Sequence, residues 1–151
     1  WFFFPLVRAT YDDYRAKRLI YEMERPYRED VYGGSTPEAT YAFFIAALKK
    51  GDVELASKYF SPKRQAEWLK ELRAQKRAGK MVEFIKTLPN LNDFKKKDVN
   101  AGQISYSKNF DAPEEVIEFQ GKKFTIPAGP ATYKILFLKN DFTQKWKIES
   151  L

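Results

Sequence analysis

The hydrophobic period of this chain changes once, and that change fixes what it can fold into. Up to Leu88 the apolar residues recur every three or four positions. Tyr41, Phe44, Ile45 and Leu48 fall at i, i+3, i+4 and i+7, one face of a helix. Beyond about residue 98 they alternate. In Ala131–Lys139, Tyr133, Ile135 and Phe137 face one way and Lys134, Leu136 and Leu138 the other. Helices first and hairpin-linked strands last predict an α+β fold, with N-terminal helices packed on an antiparallel sheet of about four strands. A chain of 151 residues suits one such domain.

Local signals divide the helical part. Ser35-Thr36-Pro37-Glu38 is a helix start, either as a capping box of Ser35 with Glu38 or as a Thr36 cap with Pro37 at the first helical position. Lys49-Lys50-Gly51 closes that helix, and Asp52 caps a short second one carrying Val53, Ala56, Tyr59 and Phe60 inward. Ser61-Pro62 opens a third, ending near Gly79, with Trp68, Leu69 and Leu72 on its buried side. Met81 to Leu88 form a fourth. In the sheet part, Gln103–Phe110 alternates, with Ile104, Tyr106 and Lys108 on one side. Val116–Phe119 and Phe124–Ile126 flank a turn at Gln120-Gly121-Lys122-Lys123. In the last strand Trp146 and Ile148 face inward, and Lys145, Lys147 and Glu149 face water.

Ahead of this domain stands a different kind of sequence. Trp1, Phe2, Phe3 and Phe4 open an apolar leader followed at once by Arg8, as at the end of a membrane span. These four are the expected membrane or assembly contact. Residues 8–32 read as a charged helix with Tyr14, Arg18 and Tyr21 on one face. Its apolar stripe is thin, which suits a stalk, and Pro26 is expected to end or kink it. Tyr32-Gly33-Gly34 is the expected boundary. The division is therefore 1–34 for leader and stalk and 35–151 for the α+β domain, with a basic helical segment at 61–98.

Several chemistries are excluded by what is missing. There is no cysteine and no histidine. This removes disulfides, thiolate nucleophiles, zinc–thiolate sites, haem histidine ligands and any Ser-His-Asp triad. No acidic calcium loop, phosphate loop or nucleophile elbow occurs, so no metal, no cofactor and no catalytic residue is assigned. The groups an enzyme would have to use are Tyr41, Tyr106, Tyr133, Asp98, Glu115 and Glu118. The tyrosines read as core residues, and Glu118, between Ile117 and Phe119, points to water.

The net charge of +7 sits in one place. Residues 63–97 hold 11 Lys or Arg against 4 Asp or Glu, and the rest of the chain holds 16 of each. Lys63, Lys70, Arg73 and Arg77 form one stripe on the third helix, a candidate surface for an anionic polymer or lipid headgroups. Glu67 and Glu71 dilute it. Nucleic acid is not the expected partner, because no recognition motif accompanies the charge. Aromatics form 17% of the chain, enough to line a pocket. The candidate lining is Tyr41, Phe44, Trp68, Tyr133, Phe137 and Trp146, which would equally fill a core.

The order of a capped helix from Ser35-Thr36-Pro37-Glu38, a Lys49-Lys50-Gly51-Asp52 break, a second helix to Tyr59-Phe60 and a closing Lys145-Trp146-Lys147-Ile148 strand resembles the nuclear-transport-factor-like, cystatin-like superfamily, in the form of envelope domains carrying an N-terminal anchor. The resemblance covers roughly residues 35–151. It implies a curved sheet wrapped around a helix as a cone. Some relatives, such as ketosteroid isomerase, hold an Asp base in the cone, and others are binding or scaffold modules. No residue here is matched to that catalytic set. The expectation is a non-catalytic interaction or assembly module, the extracytoplasmic domain of a membrane-anchored protein. Its partners would be the membrane, through the N-terminal segment, and a protein or a second copy of itself. The alternatives are a cone binding a small apolar ligand, with isomerase or dehydratase chemistry, and a basic module for an anionic polymer.

Overall fold

A computed structural model describes the backbone of residues 3–151 and the side chains from Asp13 onward. Five helices precede six strands: α1 (Phe3–Arg28), α2 (Pro37–Lys49), α3 (Val53–Ser57), α4 (Pro62–Arg77), α5 (Met81–Thr87), a 3-10 turn at Leu91–Asp93, then β1 (Lys95–Asn100), β2 (Gln103–Ala112), β3 (Glu115–Phe119), β4 (Lys122–Ile126), β5 (Gly129–Lys139) and β6 (Trp146–Ser150). The main sheet has the order β1-β2-β5-β6, and β3–β4 form a separate two-stranded ribbon. All strand pairs are antiparallel. The fold is α+β, as the change of period predicts.

Helix starts follow the local chemistry. Thr36, not Ser35, caps α2: its Oγ1 accepts from the Ala39 N–H at 3.1 Å, and Pro37 occupies the first turn. Asp52 caps α3 in the same way, accepting from Leu55 N–H at 2.9 Å. Between them Gly51 turns the chain at φ +71, the left-handed conformation that glycine adopts without strain.

The core is a line of rings that runs from helix to sheet. Trp68 of α4 stacks on Phe60 at 4.3 Å, and Phe60 meets Phe44 of α2 edge-on at 5.3 Å. Tyr41 lies 6.1 Å from Phe44 and 6.4 Å from Phe137 of β5, which meets Tyr106 of β2 at 5.6 Å. Such pairs add about 0.5–1.5 kcal/mol each beyond the area they bury. On the sheet, the register rows Ile104↔Phe137 and Tyr106↔Ile135 are buried. In the next rows Lys108, Tyr133 and Phe110 are exposed. The helices therefore cover only the half of β2 and β5 that lies toward β6.

Three elements differ from the sequence reading. Helix α1 continues through Pro26 to Arg28. The proline falls in the last turn, where little helix remains to be disrupted. Strand β1 starts at Lys95, earlier than the alternation suggests, and all six of its residues are exposed. It is held by backbone pairing to β2 and lies on an open sheet edge, which lysines suit. Most importantly, β6 is buried on both faces: Trp146, Lys147 and Ile148 are all buried.

The alternation predicts Lys147 in water, but it is 1% exposed. Its Nζ lies 2.7 Å from Asp30 Oδ2 and also donates to the Tyr32 and Lys58 carbonyls. Asp30 in turn accepts from Gln65 Nε2 and the Tyr32 N–H, both at 3.1 Å. Burial pushes the ammonium's pKa down, and the Asp30 carboxylate pulls it part of the way back. The chain beyond Asp30 stays against β6. Trp146 N–H donates to Gly34 O at 3.0 Å, and a Cβ on Gly33 (φ +116) would stand 2.4 Å from the Trp146 carbonyl oxygen. Further along the same edge of β6, opposite its pairing with β5, residues 59–61 continue the contact, with Ser61 N–H donating to Ile148 O and Ile148 N–H to Tyr59 O, each at 2.9 Å.

Removing one partner of a buried pair leaves an uncompensated charge and costs about 3–5 kcal/mol. Asp30→Ala is expected to lower the unfolding free energy by about that much in urea titrations, and Asp30→Ala with Lys147→Met to recover most of it. A loss within the ordinary surface range of about 0.5 kcal/mol would refute the ion pair as a fold determinant.

Candidate functional site

Helix α4 carries the basic stripe, and the structure divides it. Lys63 pairs with Glu149 at 2.8 Å, and Arg73 with Glu54 at 3.0 Å. These two cations hold α4 onto β6 and α3. Lys70 and Arg77 make no ion pair or hydrogen bond among the described residues, and both line a shallow depression of about 390 Å³ with Glu67, Trp68, Glu71 and Ala74. Trp68 Nε1 is buried there without a hydrogen-bond partner among the described residues. The stripe thus reduces to two free cations beside a tryptophan edge, with two carboxylates among them.

The candidate cavity residues fall in three places. Tyr41, Phe44, Phe137 and Trp146 are buried in the core. The Tyr41 hydroxyl donates to the Pro89 carbonyl at 2.7 Å, and burial pushes its pKa up. Trp68 packs on Phe60, on the α4 side. Tyr133 lies on the uncovered half of the sheet against Phe94, their rings 5.7 Å apart. The contact residues Trp1 and Phe2, and the side chains of Phe3 and Phe4, lie outside the described residues. Among the described residues, no cluster of Asp and Glu could hold a metal ion, and no helix is long and apolar enough to cross a membrane.

A polar cluster that the sequence does not announce sits where α2 meets the sheet. The buried Tyr106 hydroxyl donates to Glu38 Oε1, and Lys96 Nζ lies 2.8 Å from the same oxygen. Partial burial alone would raise the Glu38 pKa. The hydrogen bonds from Lys96 and Tyr106 outweigh it and hold the carboxyl at about 2. Burial and the Glu38 contact push the Tyr106 hydroxyl up. A carboxylate held ionised, accepting at one oxygen from both a protonated phenol and an ammonium, forms a clasp between α2, β1 and β2. Neither the carboxyl nor the phenol is poised to exchange a proton near neutrality.

Two further elements stand out by exposure. On α1, every residue from Asp13 to Met23 is exposed, including Tyr14, Leu19, Ile20 and Tyr21. Its last turn is nevertheless held. Asn140 Nδ2 donates to Tyr27 O at 2.8 Å, and the Arg28 guanidinium lies 4.1 Å over the Phe142 ring. In the β3–β4 ribbon all ten strand residues are exposed. Alternation in the sequence shows that these strands exist, but not that nothing covers them.

The chain matches no protein-family model, no curated protein and no solved structure.

The Glu38 clasp predicts an acid-side stability loss. The carboxyl is at about 2 in the fold against an ordinary 4.5, so its contribution is complete above 4.5 and disappears as pH falls toward 2. Unfolding free energies measured from pH 6 downward are expected to fall through that window, and Glu38→Gln to flatten the fall. An unchanged slope in the variant would dismiss the clasp.

Proposed function

We propose that the chain is a non-catalytic interaction or assembly module, the extracytoplasmic domain of a membrane-attached protein, with α1 as its spacer arm. The observation that carries this reading is that α1 is clamped at its last turn while Asp13 to Met23 bury nothing. A 26-residue helix is about 39 Å long. Its exposed aliphatic side chains Ala16, Leu19, Ile20 and Met23 fall at i, i+3, i+4 and i+7 on one face, a short apolar stripe that nothing covers among the described residues. Its described charges pair along the helix, Lys17 with Asp13 at 2.7 Å and Arg28 with Glu24 at 2.6 Å. Each exposed pair adds only about 0.3–0.5 kcal/mol, but pairs of this kind are what support a helix in water.

Membrane attachment through Trp1, Phe2, Phe3 and Phe4 completes the reading, because an arm needs an anchor. The sequence resemblance of residues 35–151 to the nuclear-transport-factor-like superfamily, which includes modules without chemistry, belongs to the same proposal. Flotation with lipid vesicles tests the attachment. The chain is expected to float, and the variant with Trp1→Ser, Phe2→Ser, Phe3→Ser and Phe4→Ser to stay in solution with an unchanged circular dichroism spectrum. If the two behave alike, the membrane part of the reading is wrong.

A second reading is favoured by Lys70 and Arg77, which line the α4 depression without partners among the described residues. It makes α4 a contact for an anionic polymer. Binding of a polyanion such as heparin is then expected to fall with salt, and Lys70→Glu with Arg77→Glu to abolish it. Binding insensitive to both would remove this reading.

A further inference from the structure

The β3–β4 ribbon has two unlike faces. Its register pairs Glu115 with Ile126, Ile117 with Phe124, and Phe119 with Lys122. Residues directly opposite share a face. One face therefore carries Ile117, Phe119, Phe124 and Ile126, with Glu115 at the base and Lys122 at the tip. The other carries Val116, Glu118, Lys123 and Thr125. The turn is tight, with Gln120 at φ +51 and Gly121 at φ +73. Both central residues at positive φ match the twist of a two-residue hairpin.

The apolar face is uncovered: Phe119 is 62% exposed, and Phe124 and Ile126 are 47% exposed. A two-stranded ribbon is at best marginally stable in water and requires a further layer. We propose that this layer is the same face of a second copy of the chain, packed base to tip about a two-fold axis. The inference deepens the assembly reading above and rests on it.

Charge selects that occupant and that orientation. In the base-to-tip arrangement Glu115 of each copy lies beside Lys122 of the other, so two ion pairs flank the four apolar residues. Turning one ribbon base to base would place Glu115 beside Glu115 and Lys122 beside Lys122. The ribbon as a whole is neutral, with Glu115 and Glu118 against Lys122 and Lys123, so it escapes the repulsion expected between two chains of net charge +7. Its tip is Gln120-Gly121-Lys122-Lys123, polar throughout, which favours a protein face over insertion into a bilayer. Space permits the arrangement as well. The ribbon leaves the N-terminal end of β5, and α1 is clamped at Asn140 beyond its C-terminal end. Two overlapping ribbons therefore keep the two bodies apart. The facing area is smaller than the roughly 800 Å² per partner of a standard interface, so the dimer is weak.

Sedimentation velocity over a concentration series tests this, on the full chain and on the variant with Trp1 and Phe2 to Phe4 changed to Ser. Both are expected to show a monomer–dimer equilibrium, so a failure of membrane binding leaves this result standing. Phe119→Ser with Phe124→Ser is expected to raise the dimer Kd at least about tenfold with an unchanged circular dichroism spectrum. Glu115→Lys alone and Lys122→Glu alone are each expected to weaken the dimer, and the two together to restore it. A chain that stays monomeric, a dimer indifferent to the phenylalanine changes, or charge changes without mutual rescue would overturn the proposal. So would a monomer whose vesicle binding is lost with the phenylalanines, since the bilayer would then be the occupant.

Discussion

A lysine with no access to water decides how this chain closes. Lys147 stands in the middle of β6, and its ammonium is satisfied by Asp30 from the linker and by the carbonyls of Tyr32 and Lys58. These partners come from two stretches of chain, the linker after α1 and the end of α3. The charge therefore cannot be buried until the end of α1, the end of α3 and the last strand have met. Gln65 extends the set into α4 through its bond to Asp30. An apolar residue would fill the same volume with less desolvation cost, but it would not specify which segments meet there. Thr40 works in the same direction, accepting from Gly34 N–H at 2.8 Å and donating to Trp146 O at 2.9 Å. The linker, α2 and β6 are thus fixed to one another by directional bonds, and the aromatic line supplies most of the area.

The two ends of the molecule solve the problem of exposure differently. At the arm, Tyr14 and Tyr21 lie on one side, and Leu19, Ile20 and Met23 on the other, of a helix whose charges pair along its own length, and a helix satisfies its backbone internally. Such an element persists without neighbours. At the ribbon the apolar residues lie on one face, and two strands cannot satisfy both of their outer edges. Exposure therefore means different things at the two ends. For α1 it fits a spacer. For β3–β4 it leaves an unfinished layer.

Much of the fold was legible because local signals and periodicity agree. Thr36-Pro37, Gly51-Asp52 and the alternation around Tyr133, Ile135 and Phe137 each act over a few residues, so a linear reading suffices. The misreadings share a cause, which is that a partner distant in sequence decides the outcome. Lys147 follows the alternation rule for a solvated position, and only Asp30, 117 residues earlier, makes it a buried one. Glu38 reads as the second half of a capping box until Tyr106 and Lys96 claim it. The stripe of Lys63, Lys70, Arg73 and Arg77 is real as helix geometry, but Glu149 and Glu54 take two of its members. Tyr133 belongs by period to the core face and is exposed because the helices stop short of its row.

The position of the lock relative to the ribbon bears on any assembly. Strand β5 has 11 residues, about 36 Å end to end, with the ribbon at one end and the α1 clamp at the other. In a base-to-tip pair the bodies lie on opposite sides of the overlapped ribbons. The proposed attachment and the proposed dimer contact thus use separate ends of the molecule. Asp30 and Lys147 join them, because they fix where the arm begins relative to the sheet that carries the ribbon. Loosening that pair would leave arm and ribbon each intact while removing the fixed geometry between them.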